Sequence, residues 1–165
     1  GESFAGAFTS IPIVRTEAAV RRAVIECIRS VFGQSVLRYI QLPNIHRLQG
    51  IRLAVLVQVL VDAVVSGTMF GTDASTHDSN VIVINAKRGL GQEIVEGSAV
   101  EHRLRVRKDT REVLMRDPNG IMDRNAEEGL LDLLGLLERE YIYPQDVEWS
   151  IDRSNTLWVL QSRDM

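Results

Sequence analysis

Two periodicities run along the chain and sort most of it into elements. Residues Thr16 to Gly33 read TEAAVRRAVIECIRSVFG, with Val20, Ala23, Val24, Cys27, Ile28 and Val31 at helical spacing. Thr16 suits an N-cap and Gly33 stands just past the end. SVLRYIQL predicts a second, shorter helix that stops before Pro43. From Leu53 to Val61 the residues are almost wholly apolar and rich in β-branched types, the pattern of a strand buried on both faces. TMFGTD and the short strand VIVINA follow, then a glycine-rich turn, GLGQEIVEG. HRLRVRKDTREVLMRD predicts a hairpin turning at Asp109-Thr110. NAEEGLLDLLGLLEREY predicts another amphipathic helix, with Leu130, Leu133, Leu134, Leu137 and Tyr141 on one stripe and Asn125 and Glu128 spaced as a capping box.

The chain closes on DVEWSIDRSNTLWVLQSR, two period-two runs separated by the turn residues D-R-S-N. The simplest closure pairs Ile151 with Thr156, Glu148 with Val159 and Asp146 with Gln161. One face then collects Val147, Trp149, Ile151, Trp158 and Leu160, and the other Asp146, Glu148, Gln161 and Arg163. In that register Glu148 and Gln161 are diagonal neighbours, roughly 7–8 Å apart, near enough to share an oxygen-seeking cation. A half-buried hairpin with a solvated face accounts for the same pattern. Mixed helices and mainly hairpin-linked strands predict an α+β fold, an antiparallel sheet with flanking helices.

Composition narrows the field. A chain of 165 residues, 45% hydrophobic and 25% charged, is of the size and make-up of one soluble globular domain. A net charge of -3 supplies no general attraction for nucleic acid or an anionic membrane. The single Cys27 excludes a disulfide framework or cysteine metal cluster, and fits a reducing, cytoplasmic setting. LAVLVQVLVDAVV is too short to cross a bilayer and is interrupted by Gln58 and Asp62. Gly1 is no natural initiator and SFAGAF opens directly into loop-like chemistry, so the chain is expected to be an excerpt of a longer protein.

Four segments in order carry a family likeness: SFAG at Ser3 to Gly6, LAVLVQVLV followed by SGTMFGTD, GLGQEIVEG, and DVEWSID with LWVLQSR. Together they resemble the ATP-grasp nucleotide-binding domain shared by phosphoenolpyruvate synthase, pyruvate phosphate dikinase, rifampin phosphotransferase and the glucan water dikinases. The likeness spans nearly the whole chain and is closest to the later part of that domain. It implies an ATP-grasp-like lobe binding ATP and Mg²⁺, whose phosphoryl group passes to a histidine on a separate domain. By matching position Glu148 and Gln161 are the expected metal ligands and Arg163 the phosphate contact. Gln58, Leu60 and Val61 are expected along the adenine. Ser3 and Gly6 belong to a glycine-rich loop over the phosphates, where small residues let backbone N–H groups approach an anion.

The chain also departs from the pattern. Ala7, Phe8, Thr9 and Ser10 follow SFAG where relatives carry polar residues and a threonine, and Gln92 stands where GLG is usually followed by glutamate. The family's lysine and arginine on the earlier lobe, and its phosphocarrier histidine, are expected outside this chain. His46, His77 and His102 lack the carrier's small-residue and Thr-Ser context and read as surface or loop residues. Arg103, Arg105, Arg107 and Arg111 read as the solvated face of a hairpin. Two classes remain open: part of a phosphotransferase or dikinase, or a degenerate module that binds nucleotide or another subunit without chemistry.

Overall fold

A computed structural model of the protein describes residues 8–33, 53–90, 100–118 and 120–165. The chain forms two compact units, Gly1–Leu60 and Val61–Met165. In the first, helix α1 (Glu17–Arg29) runs into a 3-10 turn at Ser30–Phe32. The Thr16 hydroxyl accepts from the Ala19 backbone N–H at 3.2 Å, satisfying one of the donors that a helix start leaves open. The expected helix and its cap are both present. Its far end is tied back to the preceding segment: the Thr9 N–H donates to Ser30 Oγ at 3.2 Å, and Cys27 Sγ donates to the Thr9 carbonyl at 3.3 Å. The second helix expected at residues 35–42 lies outside the described residues.

The strand expected from Leu53 to Val61 does not form. Residues 53–62 have no regular secondary structure, and Leu56 and Val59 are 82% and 83% exposed. Strand propensity registers fit to a pleated, half-buried surface, and among the described residues no strand pairs with this run. The first strand, β1 (Ala63–Phe70), begins immediately beyond it.

The second unit is an α+β fold. Among the described residues its strands are β1, β2 (Val81–Arg88), β3 (His102–Arg107), β4 (Val113–Arg116), β5 (Gln145–Asp152) and β6 (Leu157–Asp164). They form one antiparallel sheet in the order β4-β3-β2-β1-β5-β6. Helix α2 (Arg124–Tyr141) connects β4 to β5 and packs on one face. Its cap is Asp123, whose carboxylate accepts from the Ala126 N–H at 2.8 Å. The capping box expected at Asn125 and Glu128 therefore falls inside the helix, which starts at Arg124 with Asp123 as its cap. Leu130, Leu131 and Leu134 are buried against Met69, Ile82, Ile84, Leu104, Val147 and Trp149. Tyr141, at the end of the predicted stripe, is 52% exposed. His102 also faces the core, fully buried with Nε2 3.4 Å from Glu127 Oε1, which corrects its expected surface position.

The closing hairpin turns differently from its simplest form. Asn155 adopts a left-handed φ of 61°, which an asparagine tolerates, and the loop holds Arg153, Ser154 and Asn155 between Asp152 and Thr156. The Asp152 carboxylate fixes this turn by accepting from the Ser154 and Thr156 N–H groups at 2.8 and 3.0 Å. Ile151 therefore pairs with Leu157, Ser150 with Trp158 and Trp149 with Val159. A bulge then shifts the register, and beyond it Glu148 pairs with Gln161 and Asp146 with Arg163. The predicted pairings are corrected, and so is the place of Trp158. Opposite Ser150, it stands on the polar face, 44% exposed, with its indole N–H donating to Asp152 Oδ2 at 2.8 Å.

Trp149 fits only because the residue beside it on β1 is Gly67. A Cβ at Gly67 would collide with the Trp149 indole and with the Asn85 carbonyl. Gly67→Ala is expected to lower stability by about 1–3 kcal/mol, the usual cost of overpacking a core. Urea denaturation of the two proteins measures it, and an unchanged midpoint would contradict this packing.

Candidate functional site

Directly paired strand residues share a face, so the register alone assembles the sheet's other surface. One row runs Arg103, Asn85, Thr68, Glu148, Gln161. On one side of it lies the row Arg105, Val83, Phe70, Asp146, Arg163, and on the other Lys87, Ser66, Ser150, Trp158. This surface, away from α2, carries polar and charged groups in the middle of the sheet. Ser66, Thr68, Asp146, Ser150 and Lys87 are nevertheless buried.

Glu148 and Gln161 are immediate cross-strand neighbours, whose Cβ atoms in such pairs stand about 4.5–5.5 Å apart. That is closer than the diagonal relation expected from the sequence. Burial pushes the Glu148 carboxyl above its ordinary pKa, the Asp146 charge adds to the effect, and Arg163 opposes it. A half-buried carboxylate pressed by a second one is a place where a cation would be favoured. One carboxylate and one amide oxygen suit Mg²⁺, which keeps several waters and takes few protein ligands. Among the described residues no group of three or more His, Cys, Asp or Glu could hold a metal. The donor set thus fits a Mg²⁺ completed by water and an anionic ligand, and does not fit a closed structural metal site.

Arg163 is held in place. Its Nε and Nη2 donate to Asp146 Oδ2 at 2.8 and 2.5 Å. The guanidinium is exposed while the Asp146 carboxylate is buried, so the acid orients a cation whose remaining N–H groups face outward. Asp146, expected on this face behind the ligands or at the sheet edge, is the residue that holds Arg163. The alternation of small polar residues in VSGTMF, with Ser66 and Thr68 two apart, was the other available signal for this surface.

Elsewhere the expected residues separate. Gln58 and Leu60 are exposed members of the irregular stretch in the first unit, and Val61 opens the second. Ser3, Gly6 and Gln92 lie outside the described residues. Each of the four arginines read as a solvated face has a partner: Arg103 donates to Asn85, Arg107 faces Glu112, Arg111 pairs with Asp132, and Arg105 pairs with Asp73. Asp73 anchors the loop between β1 and β2. Its carboxyl is held down to about 2, first by the Ser75 hydroxyl and also by Arg105.

The family profile described as pyruvate phosphate dikinase, AMP/ATP-binding domain, matches residues 1–124. The chain belongs to that family. Membership makes it a nucleotide-binding chain of a transferase family, although the matched residues stop before β5 and β6. Two of the likenesses span nearly the whole chain, both strands included. A phosphotransferase of Bacillus subtilis, described as uncharacterized, is 26% identical over 99% of this chain and 22% of its own length. The prodigiosin synthesizing transferase PigC of Serratia marcescens is 28% identical over 98% of the chain and 20% of its own. The phosphoenolpyruvate synthase of Pyrococcus furiosus is 28% identical over 67% of the chain and 18% of its own. The chain spans about a fifth of the length of these relatives.

The raised Glu148 pKa has a defined consequence for stability. Because the folded pKa lies above the unfolded one, the contribution is complete below the unfolded pKa and is lost as the pH rises through the folded value. Metal-free Glu148→Gln is therefore expected to be more stable than the parent at pH 7, and to lose that advantage near pH 4. Denaturant titrations at the two pH values test this. The same pH dependence in both proteins would show that ionised Glu148 is not under strain.

Proposed function

We propose that the chain is the nucleotide-binding part, the later part of an ATP-grasp domain, of a longer ATP-dependent phosphotransferase. ATP lies over the polar face of the sheet, and its phosphoryl group is delivered to a histidine carried by a separate domain. Glu148 and Gln161 hold Mg²⁺, and Arg163, oriented by Asp146, takes a terminal phosphate. Backbone groups of Gln58, Leu60 and Val61 serve the adenine, and the loop containing Ser3 and Gly6 covers the phosphates. The metal supplies neutralisation of the phosphate charge that develops during transfer. The protein's own part is positioning: a carboxylate and an amide oxygen fixed on neighbouring strands, and a guanidinium fixed one row away.

The observation that carries this reading is the convergence of Glu148, Gln161 and Arg163 on one face, with Glu148 directly opposite Gln161, in a chain of an AMP/ATP-binding family. The lysine and arginine of the earlier lobe are expected outside this chain, so the isolated chain is expected to bind ATP weakly and to turn over none.

In the longer protein, Glu148→Ala is expected to lower Mg²⁺-dependent phosphoryl transfer by about 100-fold or more, the scale seen when one charge-stabilising group is lost. Stability should not fall, because the half-buried carboxylate that is removed is disfavoured in its ionised form. Turnover and a thermal melt, measured together, check both halves. Full turnover by a folded Glu148→Ala protein would sink the catalytic reading. Retained nucleotide binding with no turnover in the unaltered protein would instead favour a binding module.

A further inference from the structure

The row beside Glu148 and Gln161 contains a feature that the proposed ligand set does not use. Lys87 is only 8% exposed, a degree of burial rare for lysine. It sits on β2 directly opposite Ser66, which in turn faces Ser150 on β5. The Ser66 hydroxyl donates to the Gly89 carbonyl at 2.6 Å. Ser150 differs: it is 1% exposed, and its Oγ has no hydrogen-bond partner among the described residues. A buried hydroxyl without a partner is costly, and this one shares the face and the row of a buried lysine.

Successive rows on one sheet face are two residues apart along each strand, about 6.6–6.8 Å. Arg163 stands one row from the Glu148–Gln161 pair; one row away on the other side stand Ser150, on β5 itself, and Lys87, two strands across the sheet on β2. The order along the strands is thus cation, metal-binding pair, cation. A linear polyanion with a metal at its middle matches that order.

We propose that Lys87, together with the Ser150 hydroxyl, binds the phosphate nearest the ribose, at the opposite end of the polyphosphate from Arg163. This rests on the nucleotide reading above. It adds a second cation from within this chain, beside Arg163, to a site whose further lysine and arginine were expected from another lobe. Lys87 and Arg163 then divide the ligand. Lys87 reads a group common to AMP, ADP and ATP, whereas Arg163 reads one that AMP lacks.

Calorimetry on the longer protein with AMP, Mg-ATP and adenosine separates these roles. Lys87→Met keeps the apolar stem and removes the charge. It is expected to weaken AMP and Mg-ATP by at least about tenfold each, as for a lost charged partner, and to leave adenosine unchanged. Lys87→Arg should restore part of the loss. Arg163→Met should weaken Mg-ATP and spare AMP. If Lys87→Met does not fold, Ser150→Ala carries the test: it is expected to weaken AMP severalfold, and unchanged AMP affinity overturns the proposal. Unchanged AMP and Mg-ATP affinity in folded Lys87→Met, with Mg²⁺ dependence lost in Glu148→Ala, overturns the role of Lys87 and leaves the nucleotide reading standing. No nucleotide binding by the unaltered protein overturns both.

Discussion

A single additional residue in β6 decides what the polar face of the sheet contains. Between the turn and Trp149 the hairpin pairs Leu157, Trp158 and Val159 with Ile151, Ser150 and Trp149; continued without a break, that register would set Leu160 against Glu148. The bulge passes over Leu160 and brings Gln161 opposite Glu148 and Arg163 opposite Asp146. Bulges commonly re-aim side chains in this way beside functional sites. Here the result is an acid, an amide and a guanidinium gathered on one surface while the apolar residues of β5 stay in the core.

That arrangement depends on which way β5 faces. Trp149, fully buried over Gly67 and packed with the leucines of α2, leaves Glu148 and Ser150 no alternative to the opposite surface. The core therefore determines the site, and the site strains against it in return. Glu148 is half-buried beside the Asp146 carboxylate, and its ionised form is disfavoured. A bound cation would relieve that strain, so metal affinity and metal-free stability draw on the same group in opposite directions.

Much of this was legible in the residues, for identifiable reasons. The α1 and α2 helices, the turn at Asp109-Thr110 and the strand VIVINA follow from strong periodicity and turn chemistry. The closing hairpin was legible in its faces but not in its register. Asn155 in a left-handed conformation lengthens the turn by one residue, and the bulge adds one more. The two offsets restore the parity of Gln161 and Arg163, while Trp158, lying between them, changes sides. The run at Leu53 to Val61 misled because composition reports burial that a strand could use, and a strand also needs a partner. Lys87 was hidden because its significance lies in cross-strand neighbours, which only pairing reveals.

The central claim is that a divalent ion and a nucleotide meet on the face carrying Glu148 and Gln161. Replacing Mg²⁺ with Fe²⁺ in the longer protein, adding ATP, and starting local oxidative cleavage with ascorbate and peroxide reads the metal's position directly from the peptide fragments. The account predicts ATP-dependent cuts in β5 near Glu148 and in β6 near Gln161, absent from Glu148→Ala. Cuts confined to α2 or β4 on the opposite side of the sheet, or cuts indifferent to ATP, would contradict it.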